Sequence, residues 1–246
     1  MTATEMHRDE YLRMDAVEER MFFYRALHER LEFCLDRFVA ADADVLDVGC
    51  GTGGFLRRLQ SSRPSSRLAG VDVSPLACEL ASRKTGLQMR QASVEHLPFG
   101  DEEFDAIVAA DVLNMLDEPG RALRELRRCL RARGIVVVNF PAYEWLRSYH
   151  DVAVGTKQRY TRRRLRALFE GNGFIVELDT YWNTLLFPLA VARRKLAPGG
   201  NGSDVRLTHP LLERAFRGVL DVEARLIRRG MRLPFGLSVL GVARRA

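Results

Sequence analysis

The chain has 246 residues, 47% hydrophobic and 28% charged, enough apolar material for the core of one α/β domain with embellishments but not for two full domains. Its net charge is +6 and its basic residues are arginines apart from Lys84, Lys157 and Lys195, a pattern of solvated helix faces such as Arg121, Arg124, Arg127, Arg128 and Arg131. No run approaches the ~18 apolar residues of a membrane span, Met1 to Arg20 lacks the apolar core of a signal peptide, and Cys34, Cys50, Cys78 and Cys129 are scattered; a cytoplasmic protein with neither a metal site nor a disulfide framework is expected.

From Tyr11 to Ala40, apolar residues at helical spacing predict two amphipathic helices ahead of the first strand. From Asp44 onward, strands and helices alternate. Strands are predicted at Val45–Val48, Leu68–Val73, Leu87–Gln91, Asp105–Ala110, Ile135–Phe140 and Phe174–Asp179, and helices at Phe55–Ser61, Ala77–Lys84, Glu118–Leu130 and Arg162–Glu170. That order is the signature of a doubly wound, mostly parallel sheet, an α/β Rossmann-like fold. The alternation then breaks between Tyr181 and Leu233, where two helical halves flank Pro198–Ser203, before a final β-like segment at Phe235–Ala243. The boundaries are therefore 1–42 for an N-terminal helical cover or lid, 43–180 for the cofactor-binding core, 181–234 for a helical insertion and 235–246 for the last strand. The insertion is read either as a helix pair that covers the sheet or dimerises, or as a substrate cap.

Val45-Leu46-Asp47-Val48-Gly49-Cys50-Gly51-Thr52-Gly53-Gly54-Phe55 joins an apolar strand to a glycine loop that opens a helix. Glycines let the backbone turn and approach a ligand closely, and the helix start offers unpaired N–H groups. The spacing of Gly49, Gly51 and Gly54 fits a dinucleotide fingerprint as well as an S-adenosylmethionine loop. Asp72, 19 residues past Gly53, suits ribose hydroxyls in either case. Asp47, two residues before the first glycine, opposes a pyrophosphate and suits a cofactor that carries an ammonium group.

Adding Ala92-Ser93-Val94-Glu95-His96-Leu97-Pro98-Phe99, Phe104-Asp105-Ala106-Ile107-Val108 and Asp111-Val112-Leu113-Asn114, the segment from Asp44 to Asp179 resembles the class I S-adenosylmethionine-dependent methyltransferases, in particular a small-molecule group related to quinone-biosynthesis enzymes. The resemblance implies a seven-stranded sheet whose last strand is antiparallel. It implies that Asp47, Gly49, Gly51 and Gly53 hold the methionine portion and Asp72 the ribose, that Val73 and Val94 sandwich adenine, and that Asp111 lines the mouth near the methyl group. Two departures stand out. Ser93 occupies a position where relatives commonly carry an aspartate for the adenine amino group, and Asn114-Met115 replaces a frequent Glu-His pair.

The loop after the fifth strand, Phe140-Pro141-Ala142-Tyr143-Glu144-Trp145-Leu146-Arg147-Ser148-Tyr149-His150-Asp151, followed by Arg159-Tyr160, resembles a motif of bacterial methyltransferases, with Thr156 where a histidine is usual. Methyl transfer is an in-line displacement in which the protein mainly aligns the reactants and excludes water. For a hydroxyl acceptor, His150, held by Asp151 or a neighbour, is the candidate base, with Tyr143, Trp145 and Tyr160 walling the acceptor pocket or else packing as ordinary aromatics. His96 and His209 are read as structural.

The expected function is methyl transfer from S-adenosylmethionine to O or C of a small molecule such as a secondary metabolite or a lipid-like acceptor. A non-methylating S-adenosylmethionine binder is the alternative. A nicotinamide-dependent reductase is disfavoured by the lack of a Tyr-x-x-x-Lys pair, and an RNA methyltransferase rests on basic charge alone. No nucleic-acid partner is expected, whereas peripheral membrane contact and a homodimer are left open.

Overall fold

The computed structural model describes residues 6–196, 205 and 207–246; the predicted Pro198–Ser203 break lies outside the described residues. Seven strands form one sheet: β1 (Val45–Val48), β2 (Leu68–Asp72), β3 (Arg90–Gln91), β4 (Phe104–Ala110), β5 (Leu130–Pro141), β6 (Phe174–Trp182) and β7 (Ser238–Arg245). Their order is β3-β2-β1-β4-β5-β7-β6, and β7 runs antiparallel to both β5 and β6, as expected for the last strand. Right-handed crossovers between parallel strands require helices on both faces of such a sheet.

The helices are α1 (Arg8–Val17), α2 (Phe22–Phe38), α3 (Gly54–Ser62), α4 (Pro75–Thr85), α5 (Pro119–Cys129), α6 (Tyr149–Ala153), α7 (Arg162–Glu170), α8 (Phe187–Leu196) and α9 (Pro210–Arg228). Helix α4 shows how local sequence sets these ends. Ser74 caps it by accepting from the Ala77 N–H, Pro75 occupies its first turn, and Gly86 closes it in the left-handed conformation. The inner β1, β4 and β5 strands are largely apolar, with runs such as Ala106–Ala110 and Ile135–Val138, because both of their faces are covered. One face packs Leu123, Leu126, Leu165 and Phe169 over Ile107, Val136 and Val138, and the other packs Leu27, Leu31 and Leu220 over Val108, Val137 and Val242.

The fifth strand begins at Leu130 and the sixth runs on to Trp182, both longer than expected, and two further strand starts differ for a visible reason. The third strand is only Arg90–Gln91, because the N–H groups of Leu87 and Met89 are taken by the hydroxyls of Thr85 and Ser82 rather than by a neighbouring strand. The last strand begins at Ser238 instead of Phe235; the Gly236 backbone lies so close to Trp182 that a Cβ there would fall 2.2 Å from the Trp182 carbonyl oxygen.

The N-terminal helices and the insertion meet each other above the carboxyl ends of the strands. Helix α1 packs through Tyr11 on Ala77 and Leu80 of α4. Helix α2 lies on α9, where Phe22 and Phe216 pair their rings at 5.2 Å and the Phe22 N–H donates to Glu213 at 2.8 Å. Beneath them Arg30, 2% exposed, donates to the Leu220 carbonyl at 2.9 Å, lies over the Trp182 ring at 4.5 Å and pairs with Glu223. Glu223 in turn accepts from the N–H groups of Asn183 and Leu185, both at 2.7 Å, which ties α9 to the end of β6. Among the described residues no helix is long and apolar enough to cross a membrane.

Candidate active site

Strand β1 delivers the chain into a loop where Gly49, Gly51 and Gly53 all have positive φ, at +67°, +53° and +82°. The turn brings the N–H groups of Gly49 and Cys50 onto the Val71 carbonyl, at 2.8 and 3.0 Å, and the Gly51 N–H onto Asp72 Oδ2 at 3.0 Å. A side chain at Gly49 is excluded twice, by φ and by Val112, whose Cγ2 would lie 2.3 Å from the new Cβ. Asp72 Oδ1 also accepts from the Ser74 N–H at 2.9 Å and from the Tyr11 hydroxyl at 3.3 Å, so α1 reaches the expected ribose carboxylate directly.

The electrostatics of this end are set by carboxyl groups. Asp47 is buried, and burial, reinforced by Asp72 and Glu18, pushes its carboxyl well above the ordinary range. Glu18, just beyond α1, is 4% exposed, accepts from the Gly54 N–H at 3.0 Å and from the Thr52 hydroxyl, and pairs with Lys84 Nζ at 2.5 Å. Glu18 thus holds the start of α3, the place where a dinucleotide's pyrophosphate would sit. Three clustered carboxyls oppose a second polyanion and suit a ligand bearing positive charge.

A cavity of about 510 Å³ extends from this loop and is lined by Asp47, Gly49, Gly51, Asp72, Val73, Val94 and Asp111 from the core, by Met14, Tyr24 and His28 from α1 and α2, and by Ala190, Arg193 and Phe216 from the insertion. Gly53 lies beside it instead, and a Cβ there would meet Ala81 of α4 at 2.9 Å, so this glycine lets α3 and α4 pack closely. Ser93, expected to face adenine, is not in the lining; its hydroxyl accepts from the Glu95 N–H at 3.2 Å, closing its own turn.

Asp111 projects from the end of β4 with φ +56°. Its N–H donates to the Asn139 carbonyl at 2.9 Å, and the Asn139 amide donates to both of its carboxylate oxygens at 3.0 Å. Trp182 Nε1 donates to Asn139 Oδ1 at 2.7 Å, which fixes the orientation of that amide. Burial pushes the Asp111 carboxyl up to about 7, with Asn139 and Arg159 holding it back. On α2, one turn apart, burial raises the Tyr24 hydroxyl, with Glu18 and Asp111 adding to the effect, and lowers His28 to about 3, with Arg58 and Lys84 adding to it; the His28 imidazole is neutral at pH 7.

The loop after β5 divides. His150 and Asp151 both reach the cavity, and Asp151 is paired with Arg159. Both of its oxygens are held by Arg159, from Nε at 2.8 Å and Nη2 at 2.9 Å, and it accepts from the Ser148 N–H at 2.7 Å, with Arg159 Nη1 continuing to the Ala142 carbonyl. The pair is 3% and 1% exposed at the side chains and acts as an internal clamp of the loop. Tyr143 packs among aromatic side chains, the second of the two readings of this residue. Its ring lies outside the cavity lining and stacks on Tyr181 at 5.2 Å and Trp145 at 5.8 Å, because φ +56° at this residue turns the side chain away from the strand ends. Tyr160 is core, stacked on Phe140 at 4.2 Å. Asn114 and Thr156, which both depart from the motifs of relatives, meet in the cavity wall at 3.5 Å. His209 caps α9 through Nδ1.

Four residues of this site went unread in the sequence. Asn139 carried a signal, a lone polar residue inside the run Ile135–Phe140, and Tyr24 and His28 share a helix face one turn apart. Glu18 carried none, being one charge among many in the N-terminal segment.

Strand order and glycine loop define the class I methyltransferase fold. The family described as "Methyltransferase domain" matches residues 46–138, from β1 into β5. The malonyl-[acyl-carrier protein] O-methyltransferase of Legionella pneumophila is 29% identical over 135 residues, 53% of this chain and 45% of its own length. The demethylmenaquinone methyltransferase of Thermotoga maritima is 35% identical over 96 residues, 38% of this chain and 42% of its own. This chain spans less than half the length of either curated relative. The solved geranyl diphosphate C-methyltransferase of Streptomyces coelicolor A3(2), in complex with Mg2+, geranyl diphosphate and S-adenosyl-L-homocysteine, superposes with a TM-score of 0.58 at 16% identity over 89% of this chain and 77% of that one, a likeness of fold. The chain is similar to the class I S-adenosylmethionine-dependent methyltransferases, with quinone-biosynthesis enzymes among the relatives it matches.

Proposed function

We propose that this chain transfers the methyl group of S-adenosylmethionine to O or C of a small, largely apolar acceptor, with Asp111 as the proton acceptor. The observation that carries the reading is the cluster of Asp47, Asp72 and Glu18 around the glycine loop, inside the same cavity as Asp111. When bound, S-adenosylmethionine supplies an electrophilic methyl carbon on a sulfonium leaving group. Asp72 would accept from the ribose hydroxyls, the loop backbone and Asp47 would hold the amino-acid end, and Val73 and Val94 would flank the base. Helices α1 and α2 with α9 roof the cavity and exclude water. The Asp111 carboxylate, which Asn139 holds in place, would take the proton that an acceptor O–H or acidic C–H gives up as its O or C gains the methyl group and the carbon–sulfur bond breaks. His150 and the neutral His28 line the space left for the acceptor, where a hydrogen bond from either orients it.

Calorimetric titration with S-adenosylhomocysteine and with NADH tests the cofactor: the first binds, the second does not. Release of S-adenosylhomocysteine is then followed with a malonyl thioester and with demethylmenaquinone, the acceptors that the relatives' names supply. Tight NADH binding refutes the cofactor assignment. Cofactor binding with no methyl loss on any acceptor favours the non-methylating alternative.

A further inference from the structure

The rings displaced from the cavity form a surface of their own. Trp145, 53% exposed, stands edge-on to Phe187 at 6.0 Å, and Phe187 to Phe235, 41% exposed, at 5.4 Å; Tyr143 and Tyr181 stack behind them. Leu185 and Leu189, in and beside α8, are also more than half exposed. An apolar strip of this kind is costly in water unless something covers it.

Its border is cationic. The Arg162 N–H donates to the Tyr181 hydroxyl at 3.3 Å, and the Arg162 guanidinium shares the Asp179 carboxylate with Arg166 and Arg232, at 2.8, 2.5 and 3.4 Å. Glu170 is the other carboxylate in reach of this group, 4.0 Å from Arg166, so guanidinium charges outnumber carboxylates there. Aromatic side chains beside an excess of arginine match the two layers of an anionic bilayer surface, acyl boundary and phosphate. Ala190 and Arg193 of α8 line the cavity, so the helix that carries Phe187 and Leu189 is also a wall of the candidate active site.

We infer that the Trp145–Phe187–Phe235 strip, edged by Arg162, Arg166 and Arg232, docks this protein on an anionic membrane surface, from which an apolar acceptor can enter beside α8. The docking itself is independent of the methyl-transfer reading and is tested without turnover. The chain has two tryptophans, and Trp182 is fully buried, so lipid-dependent changes in emission report Trp145.

The full chain is sedimented with vesicles of phosphatidylcholine, or of phosphatidylcholine mixed with phosphatidylglycerol, with and without brominated acyl chains. The expected result is co-sedimentation with the mixed vesicles that weakens as salt rises, with quenching of Trp145 by the brominated lipid. The double variant Phe187→Ala/Phe235→Ala keeps the reporter and should partition roughly tenfold or more weakly. Arg232→Gln should lose the preference for phosphatidylglycerol. Absence of sedimentation, sedimentation without Trp145 quenching, or wild-type partitioning of the double variant overturns the inference. A dimer in velocity sedimentation that the double variant dissolves, or capture of an acidic carrier protein in place of vesicles, overturns it too by assigning the strip to a protein partner.

Discussion

Replacing Asp111 with asparagine separates the chemical role of this carboxyl from its cost to the fold. In the folded cavity the carboxyl ionises near 7 rather than 3.8, chiefly because of burial. Between those two values the folded state keeps a proton that the unfolded chain has lost, so stability falls as pH rises through this window and levels off above about 7. The ceiling on that loss is about 4 kcal/mol at alkaline pH. The substituted amide would retain a hydrogen bond with Asn139 without a buried charge. Asp111→Asn should therefore melt higher than wild type on the alkaline side, by up to roughly 10 °C for a domain of this size, and the difference should vanish in acid. Turnover should fall ~100-fold or more, with S-adenosylhomocysteine affinity little changed. In the wild type, kcat/KM should rise with pH as Asp111 deprotonates, and the cationic cofactor should draw that limb of kcat below 7 in the loaded enzyme. Scanning calorimetry and a pH–rate profile, read together, check this. Wild-type turnover in the variant, or a melting difference equal on both sides of pH 7, refutes the reasoning.

Three further outcomes follow from the geometry. Gly49→Ala meets both a positive φ and Val112, and should abolish S-adenosylhomocysteine binding by calorimetry while the far-ultraviolet spectrum is kept; intact affinity would remove the loop from the site. Glu18→Gln leaves Lys84 without its closest carboxylate and loosens the hold of α1 on the loop, so cofactor affinity should drop about tenfold and protease cleavage in α1 should speed up. Arg159→Met strands the buried Asp151 carboxylate and should cost about 3–5 kcal/mol in urea unfolding; unchanged stability would argue against the clamp.

The strand–helix alternation and the glycine loop were legible because each depends on neighbours in the chain: Val45–Val48 is buried on both faces, and Gly49, Gly51 and Gly53 take conformations that other residues resist. Asp47 and Asp72 could be singled out for the same reason, each sitting a short count from the loop. The third strand was overstated because Thr85 and Ser82 capture N–H groups that an alternating pattern assigns to a ladder. Tyr143 and Asp151 share a motif with His150, and what each packs against, an aromatic stack for one and a buried arginine for the other, is a matter of partners distant in the chain.

The sequence by itself determined the strand–helix alternation and the glycine loop, since strand period, helix caps and glycine φ are properties of adjacent residues, while the antiparallel last strand was implied by the family resemblance. Only the tertiary structure decided what surrounds the reacting end. Glu18 lies 36 positions from Gly54 and Trp182 lies 43 positions from Asn139, and such partners are chosen when helices α1, α2 and α9 close over the sheet to bury their apolar faces. Burial then sets the protonation of Asp111, which no count along the chain reports.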